Sequence, residues 1–232
     1  MSKLFAISDL HLCASVENKS MDVFGVRWER YTERLADNWQ ARVGNDDLVL
    51  VPGDISWAMS LSEAVADLEF LGRLNGQKLL LRGNHDYWWQ SISQVLPALP
   101  KNCSAVQNNV FHFGRVCVGG TRGWLSPGMS GYTAESEKLF LREQQRLRLS
   151  LNCLPREGTL NVVMLHYPPF VNAQTPTAFA QIISEYPIRN AVYGHLHGAS
   201  QNGVFSGEYG GTQYDFVSSD ALDFCPKLIA EL

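Results

Sequence analysis

The chain repeats one simple unit, a short run of apolar and β-prone residues that stops abruptly at a polar residue. The unit occurs at 4–7, 48–51, 79–81, 162–165 and 191–193. Every residue in these runs is apolar, rather than every second one, and this is typical of strands buried on both faces of a sheet. The repeated unit therefore predicts a sheet whose strands end in polar, chemically capable side chains.

Segments with helical periodicity lie between these runs. Residues 28–40 place large apolar side chains at helical spacing, and Ser60 with Glu63 forms a capping-box pattern before a second periodic stretch that stops at Gly76. Further helices are expected near 90–96, 135–150 and 176–185. Strand and helix alternate early in the chain, so we expect an α/β sandwich.

Two later stretches, 103–119 and 203–220, are typical of β-hairpins with glycine at their turns. Hairpins combined with strand–helix alternation predict mixed rather than purely parallel sheets. The sequence contains no internal repeat, low-complexity tract or linker, so we expect a single domain over residues 1–232.

Charge and cysteine content narrow the class of protein. The formal net charge of −4 argues against a binder of duplex nucleic acid, which usually needs a basic excess. No apolar run reaches the roughly 18 residues that a membrane span requires. The five cysteines form no C-x-x-C pair, which favours free thiols in a reducing compartment. We therefore expect a cytoplasmic protein without a membrane partner.

Oxygen and imidazole donors follow directly after the five strands. These donors are Asp9, His11, Asp54, Asn84, His166, His195 and His197. In open α/β sheets, ligands bind beyond the carboxyl ends of the strands, and such donors suit divalent Mn, Fe or Zn. Each residue taken alone has an ordinary alternative, such as a turn aspartate or a packed histidine. The sequence "GHLHG" at 194–198 fits packing, two ligands of one metal ion, or ligands of two.

Together these motifs resemble the signature of the calcineurin-like metallophosphoesterases. They are D-x-H at 9–11, G-D at 53–54, G-N-H-D at 83–86, His166, and G-H-x-H at 194–197. The resemblance implies a four-layer α/β/β/α sandwich of two mixed sheets flanked by helices, with a dinuclear metal site at the carboxyl ends of the strands. The chain is most similar to the small bacterial phosphodiesterase branch.

The resemblance also implies how the ligands are divided. Asp9, His11, Asp54 and His197 would hold one divalent ion, while Asn84, His166 and His195 with the bridging Asp54 would hold the second. Such a pair of ions can share a hydroxide for in-line attack on phosphorus. The metals would be Mn, Fe, Zn or similar.

Two further residues of the third motif are candidates for catalysis. His85 resembles the family histidine that acts on the substrate as a general acid or transition-state stabiliser. Asp86 is expected to accept the other N–H of that ring and hold it in place. The alternative is that Asp86 caps the following helix.

Aromatic and basic residues near the motifs are candidate substrate contacts. Trp57, Trp88 and Trp124 would wall the cleft, and Trp124 belongs to a loop over 120–134 that we expect at its rim. Arg82 and Arg122 would clamp phosphate oxygens. The alternative for each is ordinary packing or surface solvation.

One difference from the sequence pattern of related phosphatases bears on the substrate class. The stretch "GDISWAM" at 53–59 lacks the arginine that Ser/Thr protein phosphatases of this superfamily carry, so a phosphoprotein substrate is disfavoured. We expect hydrolysis of a small phosphodiester or nucleotide-type molecule. The alternatives are a phosphomonoesterase with the same ions and a non-catalytic scaffold. The sequence assigns no oligomeric state.

Overall fold

The computed structural model describes residues 2–16 and 19–232. Its strands are β1 (Lys3–Ala6), β2 (Leu48–Val51), β3 (Gln77–Leu81), β4 (Cys103–Val106), β5 (Val110–Phe113), β6 (Val116–Thr121), β7 (Leu160–Leu165), β8 (Phe170–Asn172), β9 (Thr175–Pro176), β10 (Asn190–Tyr193), β11 (Gly207–Tyr209), β12 (Thr212–Phe216) and β13 (Lys227–Glu231). Its helices are α1 (Tyr31–Arg42), α2 (Leu61–Arg73), α3 (Ile92–Val95), α4 (Ala134–Leu151) and α5 (Ala178–Ser184).

Most strands belong to two mixed sheets. The first has the order β13-β1-β2-β3-β4, in which β1 to β4 are parallel and β13 is antiparallel to β1. The second has the order β11-β12-β10-β7-β6-β5, with four parallel strands between antiparallel edge strands. Strands β8 and β9 form a separate pair. The carboxyl ends of β1, β2, β3, β7 and β10 carry the candidate ligands.

Alternating side chains of the buried strands build the layers. In β2, Leu48 and Leu50 face the second sheet, while Val49 and Val51 pack against the helices of the first. In β7, Val162 and Met164 face the first sheet in the same way. Helices α1 and α2 cover the outer face of the first sheet, and α4 and α5 cover that of the second. The result is the expected α/β/β/α sandwich.

The two sheets meet beside the candidate site. Ser8, just after β1, pairs with Ser218, just after β12. The amide of Ser8 donates to the carbonyl of Val217, and the amide of Ser219 donates to the carbonyl of Ser8. These bonds fix the ends of two strands from different sheets against each other.

The predicted elements are confirmed with some shifts in their bounds. The capping box of Ser60 and Glu63 is present at the start of α2. Trp28 lies in a short 3-10 turn before α1, because Arg30 adopts a left-handed backbone with φ of 51°.

The prediction of a hairpin over 103–119 is wrong for the first half of that stretch. Residues of β4 pair in parallel with β3 in the first sheet, and only β5 and β6 form a hairpin. A run of apolar residues does not reveal which sheet it joins. The hairpin within 203–220 is present as β11 and β12. Strand β13 was not predicted.

Candidate metal centre

The turns after the strands hold unusual backbone conformations. Asp9, His11, Asp54 and His195 have φ values of 59°, 46°, 51° and 77°. Left-handed backbone in residues other than glycine is uncommon, costs of order 1–3 kcal/mol, and is concentrated at functional sites. These turns are tied together, because the amide of His11 donates to the carbonyl of Asp54 at 3.0 Å. The strain therefore falls on four of the seven predicted ligands.

Asp9, His11 and His197 form one group of converging donors. One ligand atom of each lies within 4.8 Å of the others. The Nε2 atoms of His11 and His197 are 3.2 Å apart, and Nε2 of His197 is 3.5 Å from Oδ1 of Asp9. Ring nitrogens and a carboxylate oxygen thus point at a common position.

Asp54, His166 and His195 form the second group, with the same spread of ligand atoms. Nε2 of His166 is 3.5 Å from Oδ2 of Asp54 and 3.2 Å from Nδ1 of His195. Oδ1 of Asn84 joins this group, at 2.6 Å from Nε2 of His166. The structure therefore brings Asn84 against His166, one of the residues with which the resemblance groups it.

Asp54 lies between the two groups. Its Oδ2 is 3.8 Å from Nε2 of His11 in the first group and 3.5 Å from Nε2 of His166 in the second. Its Oδ1 accepts a hydrogen bond from the backbone N–H of His85 at 2.8 Å. A carboxylate in this position has an oxygen available to both groups.

Burial keeps most of the imidazoles neutral. It lowers the pKa of His11 to about 3 and that of His195 to about 4, and it holds the pKa of His166 well below its usual value. A neutral imidazole has a free nitrogen lone pair, which is the form that binds metals. The facing nitrogens of the neutral His166 and His195 rings therefore fit a cation placed between them.

His197 is held differently, by a residue that the sequence analysis missed. Its Nδ1 donates to Oδ1 of Asp220 at 2.9 Å. Although burial opposes the charged form, this bond and Asp9 raise the pKa of His197 to about 10. Asp220 follows the apolar end of β12, so the rule of a polar residue after a buried strand could have found it.

Asp9 is surrounded by donors from both sheets. Its carboxylate accepts from the hydroxyls of Ser8 and Ser218 and from the backbone N–H of His195. Burial would raise the pKa of Asp9, but the hydrogen bond and charge of His197 bring it well below the usual range. The carboxylate is therefore anionic and fixed in orientation.

Gly194 makes this close approach possible. A Cβ at this position would lie 1.9 Å from Oγ of Ser8 and 2.1 Å from Oδ2 of Asp9. Its role is close packing of the β10 turn onto the β1 turn. Gly198, at the other end of the same stretch, has instead a left-handed φ of 54°.

The structure does not contain the predicted hydrogen bond between Asp86 and His85. The Asp86 carboxylate accepts from the amides of Gly83, Ile55 and Ser56 at 2.7 to 3.2 Å and from Nε1 of Trp88 at 3.0 Å. Oδ1 accepts three of these bonds and Oδ2 accepts the one from Gly83. Asp86 ties the loop after β3 to the loop after β2, and Nδ1 of His85 has no hydrogen-bond partner among the described residues.

Aromatic side chains wall the site on two sides. The Trp57 ring stacks on His11 at 4.7 Å between centroids and lies 4.6 Å from the His85 ring. On the other side, Tyr167 lies 4.1 Å from His195, and Trp124 lies 5.1 Å from Tyr167.

The prediction that Trp88 contacts the substrate is wrong. Its side chain is 0% exposed and packs in the core of the first sheet and its helices, so it does not face a cleft. The indole is drawn inward because its N–H binds the buried Asp86 carboxylate.

Arg82 and Arg122 lie in a neighbouring pocket instead of among the converging donors. Both line a cavity of about 190 Å³ together with residues of α4. The Arg122 guanidinium stacks on the Trp124 ring at 4.5 Å. Their predicted contact with a phosphate group therefore concerns this pocket.

The comparison with protein families defines the class of the chain. A family model described as calcineurin-like phosphoesterase matches residues 2–199. The chain belongs to this family, and its class is that of metal-dependent phosphoester hydrolases. The resemblance carried by the five motifs is thereby confirmed.

Solved structures share the fold at low sequence identity. Phosphopantetheinyl hydrolase (PptH) from Mycobacterium tuberculosis superposes with a TM-score of 0.60 at 15% identity, covering 100% of this chain and 96% of that one. A protein of unknown function, AQ665 from Aquifex aeolicus, gives 0.53 at 14% identity, covering 98% and 96%. Calcineurin-like phosphoesterase YfkN from Bacillus subtilis gives 0.53 at 14%, covering 94% and 80%. A search of curated protein sequences gave no match. Along the described residues, no helix is both long and apolar enough to cross a membrane.

Proposed function

We propose that this protein hydrolyses a small phosphodiester or nucleotide-type substrate with two divalent metal ions. The observation that carries the proposal is the convergence of two groups of donors on either side of Asp54. Asp9, His11 and His197 would hold one ion, and Asn84, His166 and His195 the other, with Asp54 shared. When bound, such ions supply an activated water and positive charge next to the phosphoryl oxygens.

The chain's own residues do the positioning. Asp220 fixes the His197 ring through its Nδ1 and turns its Nε2 toward Asp9. The carbonyl of Pro52 lies 3.0 Å from Nδ1 of His166 and fixes that ring in the same way. Partners of this kind set the tautomer of a ligating histidine and raise its basicity.

His85 is the proposed acid or stabiliser of the leaving group. Its backbone N–H is bonded to Asp54, so its ring is carried beside the same carboxylate. The ring is tilted against Trp57, and no described residue occupies its Nδ1. Because Nδ1 is buried, we assign proton donation to a departing oxygen to the other ring nitrogen, Nε2.

The aromatic walls support a substrate with a flat or apolar group. Trp57 on one side and Tyr167 with Trp124 on the other present ring faces near the two groups of ligands. Such faces stack on a base or cover an apolar alcohol. The missing arginine after Asp54 still disfavours a phosphoprotein.

The proposal also includes the cellular compartment of the protein and its division into domains. All five cysteines are free thiols, which supports a reducing, cytoplasmic compartment. We also propose that residues 1–232 form one domain. The reason is that strands of both sheets, β1 to β4 with β6, β7 and β10, contribute to one core between the sheets.

The test uses protein stripped of metal and reloaded with Mn, Fe, Ni or Zn. It is assayed on bis(p-nitrophenyl) phosphate and on p-nitrophenyl phosphate, a diester and a monoester with the same chromophore. We expect activity that needs metal and favours the diester. A preference for the monoester would identify the alternative phosphomonoesterase.

The matched variants are Asp54→Asn and, as a control, Asp46→Asn in an exposed turn. The first should lose most activity and bind metal more weakly, and the second should keep both. Near-normal turnover of Asp54→Asn would remove the basis of the proposal. Absence of metal binding and of activity in the wild-type protein would favour the scaffold.

A further inference from the structure

Four arginine side chains surround one small cavity next to the metal centre. The cavity measures about 190 Å³ and lies between the loops after β3 and β6 and one face of α4. The arginines among its lining residues are Arg82, Arg122, Arg142 and Arg146. Drug-sized ligands occupy pockets of roughly 300–1,000 Å³, so this one suits a small group.

The cavity has more positive than negative charge. Its one carboxylate belongs to Glu143, which is 1% exposed and is held by Arg142 at 3.3 Å, Arg146 at 2.7 Å and the hydroxyl of Thr121 at 2.5 Å. Neither Arg82 nor Arg122 forms an ion pair with any described residue. Among the described residues that line the cavity, one carboxylate therefore faces four guanidinium groups, and the buried Asp86 carboxylate adds negative charge near Arg82 from outside this lining.

One of these guanidinium groups also has an unused donor. Nε of Arg82 is buried and has no hydrogen-bond partner among the described residues. A buried donor left without a partner costs about 1–3 kcal/mol. The face of the Arg122 guanidinium is packed on Trp124, which leaves its N–H edge to bind in the plane. Both features fit an oxygen-rich anion in the cavity.

The same loops that form the cavity also carry the metal centre. Arg82 precedes Gly83 and Asn84, and the carbonyl of Arg122 accepts the backbone N–H of His166 at 3.1 Å. Trp124, which stacks on Arg122, is joined to His195 through the Tyr167 ring. The cavity and the metal centre are therefore neighbours on one edge of the sandwich.

We propose that the arginine cavity binds a second phosphate group of the substrate, one that is not hydrolysed. The inference rests on the proposed function for its role in catalysis, although anion binding by the cavity does not. Guanidinium groups bind phosphate oxygens through paired N–H donors, and a phosphate dianion would offset part of the excess positive charge of the cavity lining. The substrate class is then a small phosphoester that carries two phosphate groups.

The first experiment tests the site without relying on catalysis. Pyrophosphate and inorganic phosphate are titrated calorimetrically into the full chain freed of metal. Arg122→Gln and Arg142→Gln should each weaken binding at least about tenfold. Arg148→Gln is the control, because Arg148 lies on the same helix but pairs with Glu185 away from the cavity. Equal affinity in all four proteins, or no binding by the wild type, would overturn the proposal.

The variants are chosen so that folding does not confuse the result. Arg142 is 45% exposed, and its replacement leaves the ion pair of Glu143 with Arg146 in place. Arg122→Gln leaves both ion pairs of Glu143. Melting temperatures and metal content are measured for each variant.

The second experiment tests the role in substrate selection with metal-loaded enzyme. It compares the p-nitrophenyl ester of thymidine 5′-phosphate with the same ester carrying a 3′-phosphate, and with the corresponding 5′-diphosphate ester. At least one doubly phosphorylated ester should have a KM about tenfold or more lower. Arg122→Gln and Arg142→Gln should each abolish that advantage, and Arg142→Gln should keep kcat on the simple ester.

Equal kcat/KM values for all three esters in the wild type would refute the second-phosphate role. Failure to hydrolyse any of them would instead refute the proposed function. In that case the calorimetric result still decides whether the cavity binds an anion.

Discussion

His197 and Asp220 form a hydrogen-bonded pair in which Nδ1 of the ring donates to Oδ1 of the carboxylate at 2.9 Å. The carboxylate is 2% exposed and also accepts the amide of Gly198 and the side-chain amide of Gln201. It is held in place independently of the ring. The pair therefore determines which nitrogen His197 presents to Asp9.

Asp220→Asn should weaken the site through this orientation. An asparagine can turn its NH₂ toward Nδ1, which favours the other tautomer, so we expect a loss of about 10–100-fold in metal affinity or activity. Metal titration and kcat/KM measure the loss. Asp223→Asn is the control, since Asp223 is exposed and pairs with Arg34. An Asp220→Asn protein equal to wild type in both measurements would contradict this role.

Removing single histidines should remove single ions. His197 lies with Asp9 and His11, whereas His195 lies with Asp54 and His166. We expect His195→Ala and His197→Ala each to fall from about two bound ions to about one, at different positions, since the two histidines belong to different groups of donors and Asp54 is the proposed shared ligand. Metal content and anomalous scattering measure this.

The control for metal counting is His112→Ala, in the exposed part of β5. It should keep both ions. Loss of the same ion in the two site variants would contradict the division of ligands, and loss of both ions in each would count against two separable positions.

Gly194→Ala should disrupt the contact between the two sheets at the site. The added methyl would overlap the hydroxyl of Ser8 and the carboxylate of Asp9. Overpacking of this kind costs about 1–3 kcal/mol, and here it also displaces a ligand. We expect a lower free energy of unfolding and reduced metal content. In the control Gly44→Ala, the nearest atom is at 3.4 Å, an ordinary contact. Unchanged metal content in Gly194→Ala would show that Asp9 need not be held so closely.

His85 and Asp86 should differ in what their variants lose. His85→Ala should lower kcat by about 10²–10⁴-fold on esters with poor leaving groups and much less on p-nitrophenyl esters, with metal content unchanged. Asp86→Asn should instead destabilise the fold, because its NH₂ would face one of four hydrogen-bond donors. The melting temperature, and the dependence of kcat on the leaving group, distinguish the two variants. If both variants showed the same melting temperature and the same leaving-group dependence, His85 and Asp86 would act together, which would contradict this prediction.

The pH dependence of stability should report on Asp67. Burial raises the pKa of this carboxyl, which accepts the amide of Ala14 and the hydroxyl of Ser56. Between the unfolded value of about 3.9 and the raised folded value, the native state holds the proton more tightly. The contribution of Asp67 to stability is therefore full below about pH 3.9 and is lost as the pH rises through the folded pKa.

The measurement is the difference in melting temperature between wild type and Asp67→Asn across pH 4 to 7. The difference should move in favour of wild type as the pH falls. A difference that does not change with pH would contradict the raised pKa. Comparing the two proteins at each pH cancels the effect of the site histidines, which they share.

Much of the fold and of the candidate ligand set could be predicted because the signals are local. Continuous apolar runs reveal strands buried on both faces, and the residue that ends each run lies at the carboxyl edge. This pattern alone was enough to select Asp9, Asp54 and His166 as candidate ligands. Strand β4 shows the limit of the approach, since its sequence resembles the start of a hairpin while it pairs with β3 in the other sheet.

The tertiary structure decided which side chains meet. Trp88 and Asp86 looked like site residues because they follow Asn84, but a turn of two residues can direct neighbours to opposite sides, and these two point into the core. The pairing of Asp220 with His197, and the grouping of Arg142 and Arg146 with Arg82 and Arg122, are visible only when distant parts of the chain are brought together. The types of donor are local properties of the sequence, whereas their partners depend on contacts between distant parts of the chain.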